Sequence, residues 1–295
     1  IRGSILTGFP WNLIAYSFSD HLEILSITSL IGTYGFNLFC ISLFMSPAVF
    51  ILRDTKKDIG VCIVFLIMPL LFYIYGSTYK ETFLTSDKIN YDYKVRIIGT
   101  NISLDRFYSN IDPVSVINDL IDISDPNKNE KTIFVWPEGI LPDISQKELV
   151  EYKWLFEKSF NDNHLLVIGT NTQVSESVNI NYFNSFSIYD HNLNLLYSYN
   201  KVNLVPFGEF LPFENILKFI GLRVITNNYQ SFSRGNKRDI IEINKGSFSL
   251  KILPLICYEI IYSGKIFRDP NFDFIINISE DGWFGKSIGP KQHFI

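Results

Sequence analysis

Apolar residues follow two different patterns along the chain, with a change at about residue 90. From Ile24 to Leu52 there is no Asp, Glu, Lys or Arg, and Ile59–Tyr79 is a second uncharged stretch. An α-helix needs ~20 apolar residues to cross ~30 Å of hydrocarbon, and neither stretch has the polar face of a soluble amphipathic helix. The pattern predicts two transmembrane helices, at about 24–52 and 59–79. Two core helices of a soluble domain are the alternative, which the length of the runs disfavours.

The short loop between the two predicted spans carries three basic residues, Arg53, Lys56 and Lys57. Loops rich in Lys and Arg stay on the cytoplasmic side, so both flanking parts of the chain are predicted to lie on the opposite side of the membrane. We therefore expect a membrane part at 1–93, which divides into an interfacial segment at 1–23, the two spans, and a polar linker at 80–93.

Beyond residue 93 the pattern changes to short apolar runs that are separated by turn residues and helical segments. Strands alternating with helices predict an α/β fold, and runs such as "TIFVW" are typical of strands buried on both faces. The predicted strands are 94–100, 132–136, 165–169, 183–189, 193–199, 248–257 and 272–278. Predicted helices occupy 114–124 and 146–160, with a short one after Glu259.

Composition narrows the choice of function. The net charge is −4 over 295 residues, with acidic and basic residues mixed, so no basic stripe suited to nucleic acid exists. Of the three cysteines, Cys40 and Cys62 fall inside the predicted spans, and neither can readily reach Cys257 to form a disulfide. An unpaired cysteine outside the membrane is a candidate reactive thiol.

Three polar residues follow predicted strands at points where the chain turns: Glu138, Lys201 and Cys257. In an open α/β sheet such positions converge on one crevice, where they would supply a base, a cation and a nucleophile. A lone cysteine in an apolar strand is usually an inert core residue. The prediction of an active site therefore depends on Glu138, Lys201 and Cys257 occurring together. No histidine pair has metal-ligand spacing, and His293 is the one histidine near the proposed site, so no metal or other cofactor is expected.

Several segments resemble the signature sequences of a known enzyme group in the expected order: "WPEG", "KVNLVPFGEFLP", "ICYEI" and "ISEDGWFGKSIGPKQHF". Together with "GFPW" near the start and the membrane spans, they resemble the nitrilase superfamily, and within it the apolipoprotein N-acyltransferase family. The resemblance implies a nitrilase-like α-β-β-α sandwich at 94–295, incomplete at its C-terminus and preceded by transmembrane helices. It also implies a chain that continues beyond both ends.

Residue roles follow from the same resemblance. It implies that Cys257 is the nucleophile, Glu138 the general base and Lys201 the lysine that stabilises the oxyanion. Four further residues match supporting positions, namely Glu209, Glu259, Tyr258 and Asn184. Candidate substrate or lipid contacts are Phe207, Phe210, Phe213, Lys218, Trp283 and His293. Phe107 and Lys218 stand where the family would have a tryptophan and an arginine, which keeps an aromatic ring and a cation.

The segment 207–222, "FGEFLPFENILKFIGL", is unusually apolar beside Glu209. It is either a buried core helix or an apolar arm that touches lipid, because an exposed apolar patch of this size outside the bilayer would otherwise be a liability.

The implied reaction moves an acyl chain from a phospholipid, through a thioester on Cys257, to the N-terminal amine of a diacylglyceryl-cysteine in an apolipoprotein. The implied location is the bacterial inner membrane, with several spans and a periplasmic catalytic domain. Two alternatives stay open: a membrane-tethered amidase or nitrilase with the same three residues and water as acceptor, and a catalytically inactive membrane scaffold.

Overall fold

A computed structural model describes most of the chain. The described residues are 11, 13–86, 90–100, 102, 104–107, 111–141, 143–176, 179–213, 219, 231–262, 266 and 270–294. Contacts within the chain divide them into two units, one between positions 10 and 90 and the other between positions 91 and 294.

The first unit is helical. After a 3-10 helix at Ile14–Phe18 come α1 (Leu22–Leu25), α2 (Thr28–Ile51) and α3 (Lys56–Thr85). The helices α2 and α3 pack through aromatic side chains, with the rings of Phe39 and Phe72 4.7 Å apart. Most other apolar side chains face outward, and both helices are long and apolar enough to cross a membrane.

The long helices start and end close to the predicted spans. Thr55 and Asp58 form a capping box at the start of α3, which satisfies backbone N–H groups that the helix leaves unpaired. Ser26 and Ile27 separate α1 from α2, so α2 begins four residues after the start of the first predicted span. The thiols of Cys40, Cys62 and Cys257 are free.

The second unit contains two sheets. The first has the order β1 (Lys94–Ile97), β2 (Thr132–Val135), β3 (His164–Glu176), β4 (Asn179–Asp190) and β5 (Leu195–Asn200). Its first three strands are parallel, and β3, β4 and β5 are antiparallel. The second sheet contains β6 (Ile241–Lys245), β7 (Phe248–Ile256) and β8 (Phe274–Ile278), with β6 antiparallel and β8 parallel to β7.

Two apolar cores lie on opposite faces of the first sheet. Alternation along β2 sends Ile133 and Val135 into a core shared with β6, β7 and β8, while Phe134 points to the other face. On that face the sheet is covered by α4 (Pro113–Ser124) and α5 (Lys153–Ser159). The described residues thus form a helix layer and two stacked sheets, and the predicted α/β fold is confirmed. The fourth, helical layer of the sandwich stays a prediction.

Some predicted elements differ in extent. The strands β3 and β4 are longer than predicted, because residues 173–176 of β3 pair with residues 179–182 of β4 and extend the ladder. The strand β6 was missed. A 3-10 helix, Glu148–Tyr152, precedes α5, and another, Cys257–Ile261, stands where a helix was predicted to begin after Glu259. The last described elements are a 3-10 helix at Asp281–Phe284 and α6 (Gly289–Phe294).

Candidate active site

Glu138 lies in the turn that follows β2. Its neighbour Gly139 has a positive φ of 55°, which glycine adopts without strain. The loop passes so close to β3 that a Cβ on Gly169 would lie 2.5 Å from the Glu138 Cα and from the Pro137 carbonyl oxygen. These two glycines therefore allow the chain to present the Glu138 carboxylate at the carboxyl end of the sheet.

Lys201 follows β5 directly and is almost completely buried. Its Nζ lies 3.2 Å from Glu138 Oε1 and 3.0 Å from both carboxylate oxygens of Glu209. Burial works to lower the pKa of Lys201, but the charges of Glu138 and Glu209 outweigh it and raise this pKa well above its usual value. The lysine is therefore a permanent cation at neutral pH.

Asn184, on β4, joins the two carboxylates. Its Nδ2 donates to Glu138 Oε1 at 2.6 Å and to Glu209 Oε1 at 2.7 Å. The second oxygen of each carboxylate accepts from the backbone: Glu209 from the Val205 N–H at 2.8 Å, and Glu138 from the Glu280 N–H at 3.3 Å. The network fixes the positions of both carboxylates around the lysine.

Cys257 is the first residue after β7, and its backbone has a positive φ of 55°. A left-handed conformation is uncommon for a residue other than glycine, and such strain clusters at functional sites. The side-chain amide of Asn277, on β8, donates a hydrogen bond to the Cys257 carbonyl oxygen at 3.0 Å. Burial raises the pKa of the thiol, as does the negative charge of Glu138, while the ammonium of Lys201 lowers it. The thiol therefore lies within range of the charges of Glu138 and Lys201.

Glu259 is fully buried and holds two loops together. One oxygen accepts from Arg238 Nη2 at 2.6 Å and from the backbone N–H groups of Val202 and Asn203. The other oxygen accepts from the Ile256 N–H at 3.0 Å. The carboxylate therefore ties the turn that carries Cys257 to the loop that follows Lys201.

Tyr258 supports the same turn. Its hydroxyl donates to the Leu204 carbonyl at 2.7 Å, and Lys201 Nζ lies 5.7 Å from the centre of its ring. The aromatic face thus adds a contact to the lysine as well as anchoring the loop after β5.

His293, on α6, reaches the thiol. Its Nε2 lies 3.8 Å from Cys257 Sγ, and its Nδ1 lies 2.6 Å from Asp281 Oδ1. The Ser279 hydroxyl donates to the same carboxylate at 2.8 Å. His293 was predicted as a candidate substrate contact, whereas Asp281, Ser279 and Arg238 were not predicted as site residues. The nearest signal was the position of Asp281 and His293 within the "EDGWFGKSIGPKQH" segment.

The candidate lipid contacts are partly described. Phe207 and Phe213 are exposed, Phe210 is half-buried beneath the guanidinium of Arg234, and Trp283 is half-buried in the 3-10 helix at Asp281–Phe284. Lys218 lies outside the described residues, as do the side chain of Phe107 and most of 214–222. The exposed phenylalanines favour the lipid-contact interpretation of the 207–213 part over a buried helix.

Comparison with known proteins finds two family models that match parts of the chain. The model of the carbon-nitrogen hydrolase family matches residues 128–295, and that of the apolipoprotein N-acyltransferase N-terminal domain matches residues 1–45. An apolipoprotein N-acyltransferase from Bradyrhizobium diazoefficiens is 28% identical over 99% of this chain, and one from Rickettsia prowazekii is 31% identical over 100%. The chain spans 56% and 58% of those two relatives.

Among solved structures, a CN-hydrolase superfamily protein from Xanthomonas campestris is 13% identical, with a TM-score of 0.34. That match covers 57% of this chain and 60% of the other.

Proposed function

Because the chain belongs to the carbon-nitrogen hydrolase family, we propose that it is the acyl-transferring part of an apolipoprotein N-acyltransferase, with Cys257 as the nucleophile. The observation that carries the proposal is the buried network of Glu138, Lys201, Glu209 and Asn184 beside the Cys257 thiol. The match of residues 1–45 to the N-terminal domain of that enzyme group favours the transferase over the membrane-tethered amidase.

In the first half-reaction Cys257 attacks the ester carbonyl of a phospholipid. The thiol proton moves to the Glu138 carboxylate, the C–S bond forms, and the negative charge that develops on the carbonyl oxygen is stabilised by the Lys201 ammonium. When the ester C–O bond breaks, Glu138 returns the proton to the oxygen of the departing lysophospholipid. A thioester remains on Cys257.

In the second half-reaction the α-amine of a diacylglyceryl-cysteine attacks the thioester. Glu138 takes a proton from the amine as the C–N bond forms, and the proton passes to the Cys257 sulfur as the C–S bond breaks. The product is an apolipoprotein that carries a third acyl chain, and the enzyme has returned to its starting state.

The membrane helices fit these substrates. Both the phospholipid and the diacylglyceryl acceptor are anchored in a bilayer. The second unit, residues 91–294, is called the catalytic unit below. Because α2 and α3 anchor the chain in the membrane, this unit can meet both substrates at the bilayer surface. The exposed rings of Phe207 and Phe213 supply apolar contacts of the kind that an acyl chain needs. We place the protein in the bacterial inner membrane, with the catalytic unit on the periplasmic side as the basic loop at 53–58 predicts.

Intact-protein mass spectrometry after incubation with phospholipid tests the proposal. We expect an acyl adduct on Cys257 that disappears when a diacylglyceryl-cysteine peptide is added, together with the N-acylated peptide. Cys257→Ala abolishes both, whereas the matched variant Cys40→Ala, in α2, retains both.

Two results would contradict the transferase. Rapid release of free fatty acid without the acceptor peptide would indicate a hydrolase, in which water is the acceptor. Full peptide acylation by the Cys257→Ala variant would exclude Cys257 as the nucleophile.

A further inference from the structure

One cation beside the candidate active site, Arg234, has no carboxylate partner among the described residues. It is exposed, and its guanidinium carbon lies 5.3 Å from the centre of the half-buried Phe210 ring. The nearby basic residues Lys237 and Arg238, in contrast, each form an ion pair. Stacking on an aromatic face orients a guanidinium and leaves its N–H groups able to bind an oxyanion. Arg234 therefore supplies a positive charge that is available to a ligand.

Backbone hydrogen bonds hold the segment of Arg234 against the buried cluster. The Phe232 N–H donates to the Glu209 carbonyl oxygen at 2.8 Å, and the Gly235 N–H donates to the Lys201 carbonyl oxygen at 2.8 Å. The side chains of Glu209 and Lys201 contact each other within the network described above. Arg234 therefore lies at the surface between two backbone anchors to the candidate active site.

The segment that carries the Phe210 ring also presents two exposed phenylalanines in an unusual backbone conformation. Phe207 has a φ of 65° and is 49% exposed, and Phe213 has a φ of 53° and is 71% exposed. The left-handed region is unfavourable for a bulky residue, and such strain is found at ligand contacts, where the surrounding structure maintains it. Here the Phe207 N–H donates to the Phe210 carbonyl oxygen at 2.7 Å. Exposed rings close to an available cation match a ligand that has apolar chains and an anionic group.

We infer that Arg234 binds the phosphate group of the phospholipid that donates the acyl chain, while Phe207 and Phe213 contact its apolar part. A guanidinium can donate two parallel hydrogen bonds to a phosphate, and such charge-assisted bonds are stronger than neutral ones. In a glycerophospholipid only the glycerol carbons separate the phosphate from the reacting ester, so one site can contact both. No bond forms or breaks at Arg234, which is therefore a specificity-determining residue. The inference rests on the proposed function and adds that phosphate-bearing donors are selected over uncharged glycerides.

A competition between two acyl donors in the same micelles tests this selection. The intact protein, in micelles of an uncharged detergent, receives equal amounts of dipalmitoylphosphatidylglycerol and dimyristoylglycerol, which lacks the phosphate. Intact-protein mass spectrometry separates the palmitoyl adduct from the myristoyl adduct and thus reports which donor reacted. Repeating the experiment with the two chain lengths exchanged removes any preference for chain length.

We expect the natural protein to take its acyl chain mainly from the phospholipid. In Arg234→Gln the ratio of phospholipid-derived to glyceride-derived adduct should fall at least about tenfold, the factor that corresponds to one hydrogen bond to a charged group. Lys237→Gln removes an exposed cation three positions along the same segment and is the matched control, in which the ratio should not change. Partial unfolding lowers both adducts together, so it leaves the ratio unaffected.

An unchanged ratio in Arg234→Gln would overturn the inference. An equal fall of both adducts would overturn it as well, because that result indicates a role in stability or in general attachment to the lipid surface. In both cases the natural protein still forms acyl adducts, so the proposed function stands. The absence of any adduct on Cys257 of the natural protein would instead overturn the proposed function, and the inference with it.

Discussion

At the scale of single residues, one ammonium group lies between two carboxylates in a buried cluster. Lys201 contacts Glu138 and Glu209 directly, and Asn184 donates to both carboxylates. A buried charge is tolerated when it is paired and hydrogen-bonded, and it becomes strongly destabilising when its partner is removed. The lysine therefore has a structural role besides the catalytic role proposed for it.

We expect Lys201→Met to lower the free energy of unfolding of the catalytic unit by about 3–5 kcal/mol, since it leaves two carboxylates without their cation. Lys153→Met is the matched control. Lys153 pairs with Glu157 on the exposed surface of α5, where such a pair contributes about 0–1 kcal/mol. Thermal unfolding of both variants in detergent measures the difference, and equal stability of the two would contradict the role assigned to Lys201.

The stability difference between Lys201→Met and the natural protein should depend on pH in one direction only. The pKa of Lys201 is raised in the folded protein, so its contribution to stability is fully present below the unfolded value of about 10.5. It is lost as the pH rises through the folded value. The stability gap between Lys201→Met and the natural protein should therefore stay constant between about pH 7 and pH 9 and narrow only in strongly alkaline solution.

At the scale of elements, the turn that carries Cys257 is tied to the loop after β5 by a buried ion pair. Arg238 donates to Glu259 at 2.6 Å and to the Tyr199 hydroxyl at 3.1 Å. Glu259 in turn accepts from backbone N–H groups on both sides of the contact. The pair thus sets the distance between the segment of Lys201 and the segment of Cys257.

Arg238→Leu should destabilise the catalytic unit by about 3–5 kcal/mol and slow the acylation of Cys257, because Glu259 keeps a buried charge without its cation. The neighbouring variant Lys237→Leu removes an exposed cation that pairs with Asp239 and should change the stability by less than about 1 kcal/mol. Thermal unfolding and acyl-adduct formation measure the two effects. Equal stability and equal acyl-adduct formation in the two variants would contradict the role assigned to the Arg238–Glu259 ion pair.

The sequence predicted some residues of the candidate site but not others, and the difference has a physical reason. Glu138, Lys201 and Cys257 each follow an apolar strand and precede a turn, so their convergence followed from the α/β pattern. Arg238 and Asp281 carried no such signal, because each lies in a polar segment and acquires its partner only when distant segments pack. The strand β6 was missed since its alternation spans just Ile241–Lys245.

At the scale of the whole chain, the two units expose different surfaces. In α2 and α3 most apolar side chains outside the aromatic contact face outward, as they do in helices surrounded by lipid. The catalytic unit buries its apolar residues in two cores instead. The two long uncharged stretches were visible in the sequence, whereas the aromatic contact between the helices they form required the structure.

Leu66→Lys tests the membrane placement of α3. Leu66 is exposed near the middle of the uncharged stretch, where a lysine costs about 2.5–3.5 kcal/mol of insertion free energy. We expect a marked loss of membrane insertion in a glycosylation-mapping assay. Leu84→Lys, equally exposed but close to the end of α3 beside Lys80 and Glu81, should insert normally. Normal insertion of Leu66→Lys would indicate that α3 does not span the bilayer.

The distribution of the active groups along the chain has a consequence for biosynthesis. Glu138 and Lys201 are 63 residues apart and follow strands of the first sheet, while Cys257 follows a strand of the second. Contacts between distant segments form late in folding. A nascent or partly folded chain therefore carries the Cys257 thiol without the carboxylate and the ammonium proposed to activate it, and we expect it to be inert towards lipid esters. Chemical competence would thus appear only after the two sheets have packed, which protects the unfinished protein from acylating itself.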